Sequence, residues 1–156
     1  MHQRLLIISC SNRKNKFESS IRAWQLYDGV LFRSLKKIEN DGDWPSSLSV
    51  LILSAEYGLI SRETKISYYD RLMSLQRAKE LSSSVHHELR LFLMRNEWQE
   101  IVLSMGNVYL QTLANFKWPA FIRVGVVPGR IGEKIKLTKS WVIDPSRTRQ
   151  YINWIE

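Results

Sequence analysis

The chain has 156 residues, of which 44% are apolar and 24% charged, a composition typical of one globular domain rather than of a disordered segment. Lys and Arg number 23 against 15 Asp and Glu, so the formal net charge is +8. This surplus favours an anionic partner such as a nucleic acid or nucleotide; the alternative is that the cations only keep the surface soluble.

The distribution of charge and the single cysteine further limit the kinds of protein and of binding site that the chain can form. Residues 1–40 hold eight cations and three anions, residues 121–156 hold seven and three, and the middle of the chain is nearly balanced. One cysteine, Cys10, excludes an intrachain disulfide and a cysteine-rich zinc site. The apolar run after Arg4 is too short for a secretory signal or a membrane span, so we expect a cytoplasmic protein without a membrane partner.

Four short apolar runs alternate with longer stretches of helical period, and this alternation predicts a parallel sheet with helices on its faces. The predicted strands are Leu5 to Cys10, Leu48 to Ser54, Ile101 to Met105 and Phe121 to Val127. We therefore predict an α/β fold of three layers, α/β/α, with a mainly parallel sheet of about four strands, in one domain over residues 1–156.

Four helical segments separate or follow these strands. The first covers Ile21 to Glu39 with an expected break at Gly29, and the clearest has an apolar stripe from Leu75 to Phe92. A shorter helix is predicted from Asn107 to about Phe116. The last is predicted to begin at Asp144, which is a good N-cap because Pro145 follows at the first helical position.

The loop after the first strand begins the predicted functional edge, because ligands of open parallel sheets bind beyond the carboxyl ends of the strands. Ser9, Ser11 and Lys14 in this loop supply hydroxyls and a cation that suit phosphate or sugar recognition. The alternative is that the serines only end the strand. Cys10 is a possible nucleophile, but a free cysteine at a strand end is more typical of a small buried apolar residue.

The loop after the second strand, predicted to run from Ser54 to Met73, is long enough to indicate function. Its carboxylates, Glu56 and Asp70, are the candidate catalytic acid and base. The remaining candidate ligand contacts in this loop are Ser54, Tyr57 and Tyr69. Its tyrosines, including Tyr68, can stack on a base or, alternatively, pack at the mouth of the core.

The third and fourth loops complete the edge with small and cationic residues. Gly106 and Asn107 place exposed N–H groups where the third strand meets its helix, an arrangement shared by anion sites and ordinary turns. Gly129, Arg130 and Gly132 begin a predicted glycine-hinged cationic loop able to approach a phosphodiester.

No metal site or cofactor is predicted. His2 is terminal, whereas His86 and His87 are adjacent on a predicted helix and therefore point in different directions. None of the loops has the spacing of a Walker motif or a complete dinucleotide fingerprint.

A set of motifs spread over residues 5–141 resembles the YaaA-like family, small uncharacterised domains related to the peroxide-stress protein YaaA and to domains associated with 7-deazaguanine nucleic-acid modification. The most specific segment joins LILSAEYGLI to a Tyr-Asp pair; Tyr68 stands where the family pattern predicts a proline. The positions that match are Ser9, Ser11, Lys14, Tyr27, Arg33, Ser54, Tyr57, Gly58, Tyr69, Asp70, Gly106, Tyr109, Gly129 and Gly132.

The resemblance implies a DNA-associated or base-modification setting, and two hypotheses follow. The first is an enzyme acting on a nucleotide, nucleoside or flipped base, with Asp70 or Glu56 in catalysis and Lys14, Arg33 and Arg130 holding phosphates. The second is a non-catalytic DNA- or RNA-binding module, possible because of the net charge of +8.

Overall fold

The fold, described for residues 3–155 by a computed structural model, is built around a six-stranded sheet. The strands of the chain are β1 (Gln3–Ser9), β2 (Ile21–Arg22), β3 (Leu48–Ser54), β4 (Gly58–Ser61), β5 (Lys65–Ile66), β6 (Trp98–Ser104), β7 (Arg123–Val126) and β8 (Asn153–Trp154). The central sheet has the order β4-β3-β1-β6-β7-β8, and β2 pairs separately with β5.

The four predicted strands are the parallel centre of this sheet. β1 pairs in parallel with β3 on one side and with β6 on the other, and β6 pairs in parallel with β7. The α/β class is therefore confirmed, whereas the predicted number of about four strands is too low. The two additional strands, β4 and β8, pair antiparallel at the edges and are only four and two residues long, too short for a recognisable alternation of apolar residues.

The apolar sequence of the central strands explains their position. The side chains of Leu5 and Ile7 in β1 join one apolar core, whereas those of Leu6 and Ile8 join another on the opposite face. A strand buried on both faces needs apolar residues throughout, because neither set of alternating side chains meets water.

Helices cover both faces of the sheet. They are α1 (Ala23–Leu26), α2 (Val30–Asn40), α3 (Leu75–Leu93), α4 (Asn107–Leu110), α5 (Ile131–Ile143) and α6 (Pro145–Thr148). α1, α2 and α5 contribute to the core that contains Leu6, and α3 contributes to the core that contains Leu5. No helix within residues 3–155 is long and apolar enough to cross a membrane.

Two helix predictions agree with the structure in outline. The expected break at Gly29 is present, since the chain between α1 and α2 is extended at Tyr27 and Gly29 is the N-cap of α2. α3 begins after Ser74, whose hydroxyl accepts a hydrogen bond from the N–H of Arg77, and its predicted apolar stripe is buried from Ala78 to Leu89, whereas Leu75 at its start is exposed.

The C-terminal helices differ from the prediction. The segment predicted as a glycine-hinged loop is loop only through Arg130, because Ile131 begins the 13-residue α5. Gly132 lies in the first turn of that helix. The helix predicted after Asp144 does exist, with Pro145 at its start, but it has only four residues before a 3-10 turn. Asn107 also begins a four-residue helix that continues as a 3-10 turn to Leu113, short of the predicted end at Phe116.

The segment predicted as one long loop from Ser54 to Met73 contains two short strands. Gly58, with φ +76°, allows the chain to reverse directly after β3 so that Ser54 pairs with Gly58 in the β3–β4 hairpin. β5 then pairs with β2. Irregular backbone is confined to the hairpin turn, to residues 62–64 and to residues 67–74.

Candidate functional site

A cavity of about 650 Å³ lies at the carboxyl ends of the parallel strands. It opens between the ends of β1 and β6, where the chain connections to β3 and β7 leave in opposite directions along the sheet. This topological switch point is where open α/β sheets bind ligands, because the loops on its two sides diverge and leave a crevice. The cavity volume also lies within the range of about 300–1,000 Å³ typical of small-molecule sites.

One wall of the cavity is cationic and is built by the start of α5. Gly129 has φ +95°, a conformation that glycine adopts without strain, and it turns the chain from β7 into the helix. Arg130 is the N-cap and makes no side-chain capping bond, so N–H groups of the first turn remain for a ligand. Arg130 and Lys134 both line the cavity, and neither forms an ion pair with any residue that the structure describes.

The loop after β1 forms the adjoining polar wall. Ser11 donates a hydrogen bond to the carbonyl of Arg13 at 2.7 Å and accepts one from the N–H of Gly29 at 3.2 Å. These two bonds hold the loop against the start of α2. Arg13 lines the cavity and lies 3.4 Å from Asp28, which Arg33 also contacts at 2.8 Å. The hydrogen bond from Arg33 is the main reason why the pKa of Asp28 is lowered, so this carboxylate stays charged.

The cavity lining also contains aliphatic side chains. They are Leu72 and Met73, just before α3, Val30 of α2 and Ile131 of α5. The cavity thus offers cations, N–H groups and aliphatic surface, a combination that suits a ligand with an anionic group joined to a flat apolar part.

The floor of the cavity is a buried network of hydroxyls around Cys10. The thiol lies 3.2 Å from the hydroxyl of Tyr109, and both residues line the cavity. Beneath them the hydroxyls of Tyr27 and Tyr69 are 2.7 Å apart, and Ser54 donates to the hydroxyl of Tyr69 at 2.9 Å. Burial raises the pKa of Tyr27, Tyr69 and Tyr109 above that of an exposed phenol, so all three remain protonated donors near neutral pH.

Two predicted ligand contacts, Ser54 and Tyr69, are therefore placed in the core below the cavity rather than in its wall. Ser54 is fully buried, and its hydroxyl accepts hydrogen bonds from the N–H groups of Glu56 and Tyr57 at 3.2 and 3.0 Å. These bonds stabilise the turn after β3. Ser54 and Tyr69 therefore stabilise the floor of the cavity from below and do not line it.

The predicted catalytic carboxylates do not line the cavity. Glu56 is half-exposed at the tip of the β3–β4 hairpin and forms an ion pair with Arg71 at 3.3 Å. Asp70 is exposed and makes no hydrogen bond or ion pair with the described residues. It lies two residues before Leu72, which lines the cavity, so it stands near the rim. A catalytic role for either residue stays a prediction.

The other predicted contacts fall into two groups. The cavity brings together Ser9, Ser11, Gly106, Gly129 and Arg130. The other five do not line the cavity. The ammonium of Lys14 lies 4.6 Å from the centre of the Tyr69 ring, and the hydroxyl of Tyr57 donates to the carbonyl of Ser67 at 3.2 Å. Arg33 is paired with Asp28, and Asn107 and Gly132 are exposed in the first turns of their helices.

Sequence reasoning missed several residues of the cavity, chiefly Leu72, Met73 and Val30. Lys134 was expected in the cationic loop; it lies instead in α5, four residues after Arg130, a spacing that puts the two on one face of the helix. Leu72 and Met73 are brought to the site by tertiary packing, for which no local pattern exists. Among residues 3–155 no group of three or more His, Cys, Asp or Glu side chains is arranged to hold a metal ion; His2 lies outside these residues.

Comparison with known sequences places the chain in a family. The DUF6884 model, described as a family of unknown function, matches residues 5–139. The chain belongs to the DUF6884 family. The matched range includes the cavity from Ser9 to Ile135. No curated protein matches the chain.

A solved structure supports the fold. The chain is similar to the crystal structure of AF0587, a protein of unknown function, with a TM-score of 0.55 and 14% sequence identity. The match covers 90% of this chain and 44% of that chain, so the present chain spans less than half the length of its structural neighbour. At this identity the likeness shows the fold alone.

Proposed function

We propose that the cavity at the switch point binds a nucleotide unit, either as a free nucleotide or as a flipped base of a nucleic acid. The observation that carries this proposal is that unpartnered cations, Arg130 and Lys134, and the aliphatic side chains of Leu72 and Val30 line the same cavity. The cations and the first turn of α5 suit a phosphate, and the aliphatic side chains suit the face of a base.

A calorimetric titration with nucleoside 5′-monophosphates and the matching nucleosides tests this binding. We expect the monophosphates to bind more tightly, and Arg130→Ala or Lys134→Ala to weaken binding by about tenfold or more, because each removes a charge-assisted hydrogen bond. Lys136→Ala is the matched control, since Lys136 lies on the same helix but does not line the cavity. Equal binding of nucleosides and monophosphates, or equal effects of all three variants, would contradict the phosphate site.

The catalytic part of the proposal is that the chain hydrolyses or exchanges a base of the bound unit. Asp70 is the candidate general acid or base, because it is an exposed carboxylate near the rim that no described residue pairs. A base-release assay on nucleosides and on DNA should show wild-type turnover and a loss of about 10²- to 10⁴-fold for Asp70→Asn. Glu88→Gln, on an exposed face of α3, is the control for loss of a surface carboxylate.

The second candidate function is a non-catalytic nucleic-acid-binding module. The observation that favours it is the cavity lining itself, which within the described residues contains no Asp, Glu or His. Wild-type binding of nucleotides without turnover on any nucleoside or DNA substrate would support this function over the catalytic one. A role in peroxide stress or DNA damage, and membership of a wider YaaA-like group, are proposals that rest on the resemblance of the motifs around Ser54 and Asp70.

A further inference from the structure

Two chain segments extend the cavity onto the surface and place lysines beside aromatic rings, of which that of Tyr68 is exposed and that of Tyr69 is buried. They are residues 13–17, which follow the β1 loop, and residues 67–71, which precede Leu72; together they form the lysine–aromatic strip. Both segments end at the cavity, since Arg13 and Leu72 line it. The pairing of β2 with β5 and a 3.1 Å contact between the hydroxyls of Ser20 and Ser67 hold the two segments side by side.

Two aromatic rings of this strip are exposed to solvent, and packing in the core does not account for their position. Phe17 is 50% exposed and Tyr68 is 40% exposed, although the burial of large aromatic side chains is favourable. The ammonium of Lys16 lies 5.7 Å from the centre of the Tyr68 ring, and that of Lys14 lies 4.6 Å from the centre of the Tyr69 ring. A cation next to a ring allows a phosphate and its base to be contacted at one place.

The charges of the strip favour a polyanion. Arg13, Lys14 and Lys16 bring three cations within four residues, against the exposed carboxylates of Glu18 and Asp70. Lys14 and Lys16 form no ion pair with the described residues; the Lys14 ammonium donates one hydrogen bond, to the carbonyl of Asn12 at 3.3 Å, so neither charge is neutralised by a carboxylate and both can contact phosphates. Evenly spaced phosphates match such a row of cations better than a single phosphate does.

We infer that the ligand is a single-stranded polynucleotide, whose chain lies along the lysine–aromatic strip with bases against Phe17 and Tyr68 while one nucleotide unit occupies the cavity. The inference rests on the proposed function for the identity of the unit in the cavity. A single strand is required because the bases of a duplex are stacked on each other and cannot lie against protein rings. DNA and RNA share this chemistry.

Fluorescence anisotropy with labelled oligonucleotides of about a dozen nucleotides tests the strip, using single-stranded DNA, single-stranded RNA and the DNA duplex. Phe17→Ala and Tyr68→Ala should each weaken single-strand binding about fivefold or more, because a stacked base is lost. Lys16→Ala should lower the slope of log affinity against log salt by about 0.7. These side chains are exposed, so the variants leave the core intact.

Matched controls lie at the other end of the sheet or on another face. Phe121 is 80% exposed just before β7, and Lys79 is exposed on α3; Phe121→Ala and Lys79→Ala should change the affinity less than about twofold. Equal or tighter binding of the duplex would overturn the inference, as would single-strand affinity that is unchanged in the strip variants.

Titration of the same variants with a nucleoside 5′-monophosphate separates this inference from the proposed function. Phe17→Ala and Tyr68→Ala should leave monophosphate affinity unchanged, because neither residue lines the cavity. Monophosphate binding without oligonucleotide binding would refute the strip and retain the cavity. Oligonucleotide binding that depends on the strip, without monophosphate binding, would support the strip and refute the cavity as the nucleotide site.

Discussion

Charged side chains have different surroundings at the two edges of the parallel sheet. At the amino-terminal edge, Arg4 is buried and donates to the carbonyls of Trp141 and Val142 at 2.7 and 3.0 Å, at the C-terminal end of α5. Buried Glu100, its neighbour across the strands, accepts from the indole N–H of Trp141 at 2.6 Å and from Arg149 at 2.8 Å. At the carboxyl edge, Arg130 and Lys134 meet no such partners among the described residues.

The difference shows which charges hold the fold and which are available to a ligand. A buried charge is tolerated only when hydrogen bonds and opposite charges replace the lost water, and this condition is met at Arg4 and Glu100. Burial lowers the pKa of Arg4 while Glu100 opposes that shift, as expected for a cation held in the interior by a carboxylate. An exposed, unpartnered cation over a cavity has no comparable structural role.

The largest effect is expected from Glu100→Ala at the amino-terminal edge. Removing the carboxylate leaves the indole of Trp141 and the guanidinium of Arg149 without their partner and removes the opposite charge near buried Arg4, so the free energy of unfolding should fall by about 3–5 kcal/mol. Urea denaturation measures this, with Glu88→Ala on the exposed face of α3 as the control. A loss below about 1 kcal/mol would show that the buried network does not hold this edge together.

The next largest effect is expected from alkaline pH, through the phenols beneath the cavity. Burial holds the pKa of Tyr27 and Tyr69 above the value of 10.0 of a free phenol. Above pH 10 the unfolded chain therefore releases protons that the folded chain keeps, and the free energy of unfolding should fall by about 1.4 kcal/mol per pH unit for each phenol. Tyr27→Phe should make this decline shallower in denaturation curves recorded at successive pH values; an unchanged slope would contradict the pKa shift.

The sequence predicts those features of the two edges that depend on a run of neighbouring residues. The parallel strands were predictable because residues such as Leu5 to Ile8 are apolar without interruption, and their carboxyl ends then locate the functional edge. α5 was missed because the Gly-Arg-Ile-Gly sequence at residues 129–132 and the lysines that follow resemble a cationic loop, although Ile131, Ile135 and Val142 keep a helical spacing.

The arrangement of the site depended on contacts that no local pattern contains. Glu56 and Asp70 were the candidate catalytic acid and base, but the hairpin that begins at Ser54 places Glu56 in a turn where Arg71 pairs with it, and neither carboxylate lines the cavity. The buried hydrogen bonds of Arg4 to the end of α5, and those of Glu100 to Trp141 and Arg149, likewise join residues far apart in the chain. Side chains of these types are usually exposed, so their burial could be known only from the fold.

A smaller effect is expected at the turn into α5. Gly129 has φ +95°, and a β-carbon there would collide with the side chain of Glu133 in the first turn of the helix. Gly129→Ala should therefore lower the free energy of unfolding by about 1–3 kcal/mol and also weaken nucleotide binding, because Arg130 is the next residue. Gly132→Ala is the control: its β-carbon meets open space in a helical turn, so stability should rise by about 0.5–1 kcal/mol. If Gly129→Ala is as stable as Gly132→Ala, the turn is not constrained.

The smallest effect on stability is expected from Arg130→Ala, and it decides whether the two edges differ as described. The Arg130 guanidinium has no ion pair among the described residues, so its removal should change the free energy of unfolding by less than about 0.5 kcal/mol. Arg4→Met, the counterpart at the amino-terminal edge, should cost about 3 kcal/mol or more, since it leaves the buried carbonyls of Trp141 and Val142 without their donor and removes an opposite charge near buried Glu100. Parallel urea denaturation of both variants measures the contrast. If Arg130→Ala costs as much as Arg4→Met, its guanidinium supports the fold, and the cation at the cavity is no longer free for a phosphate.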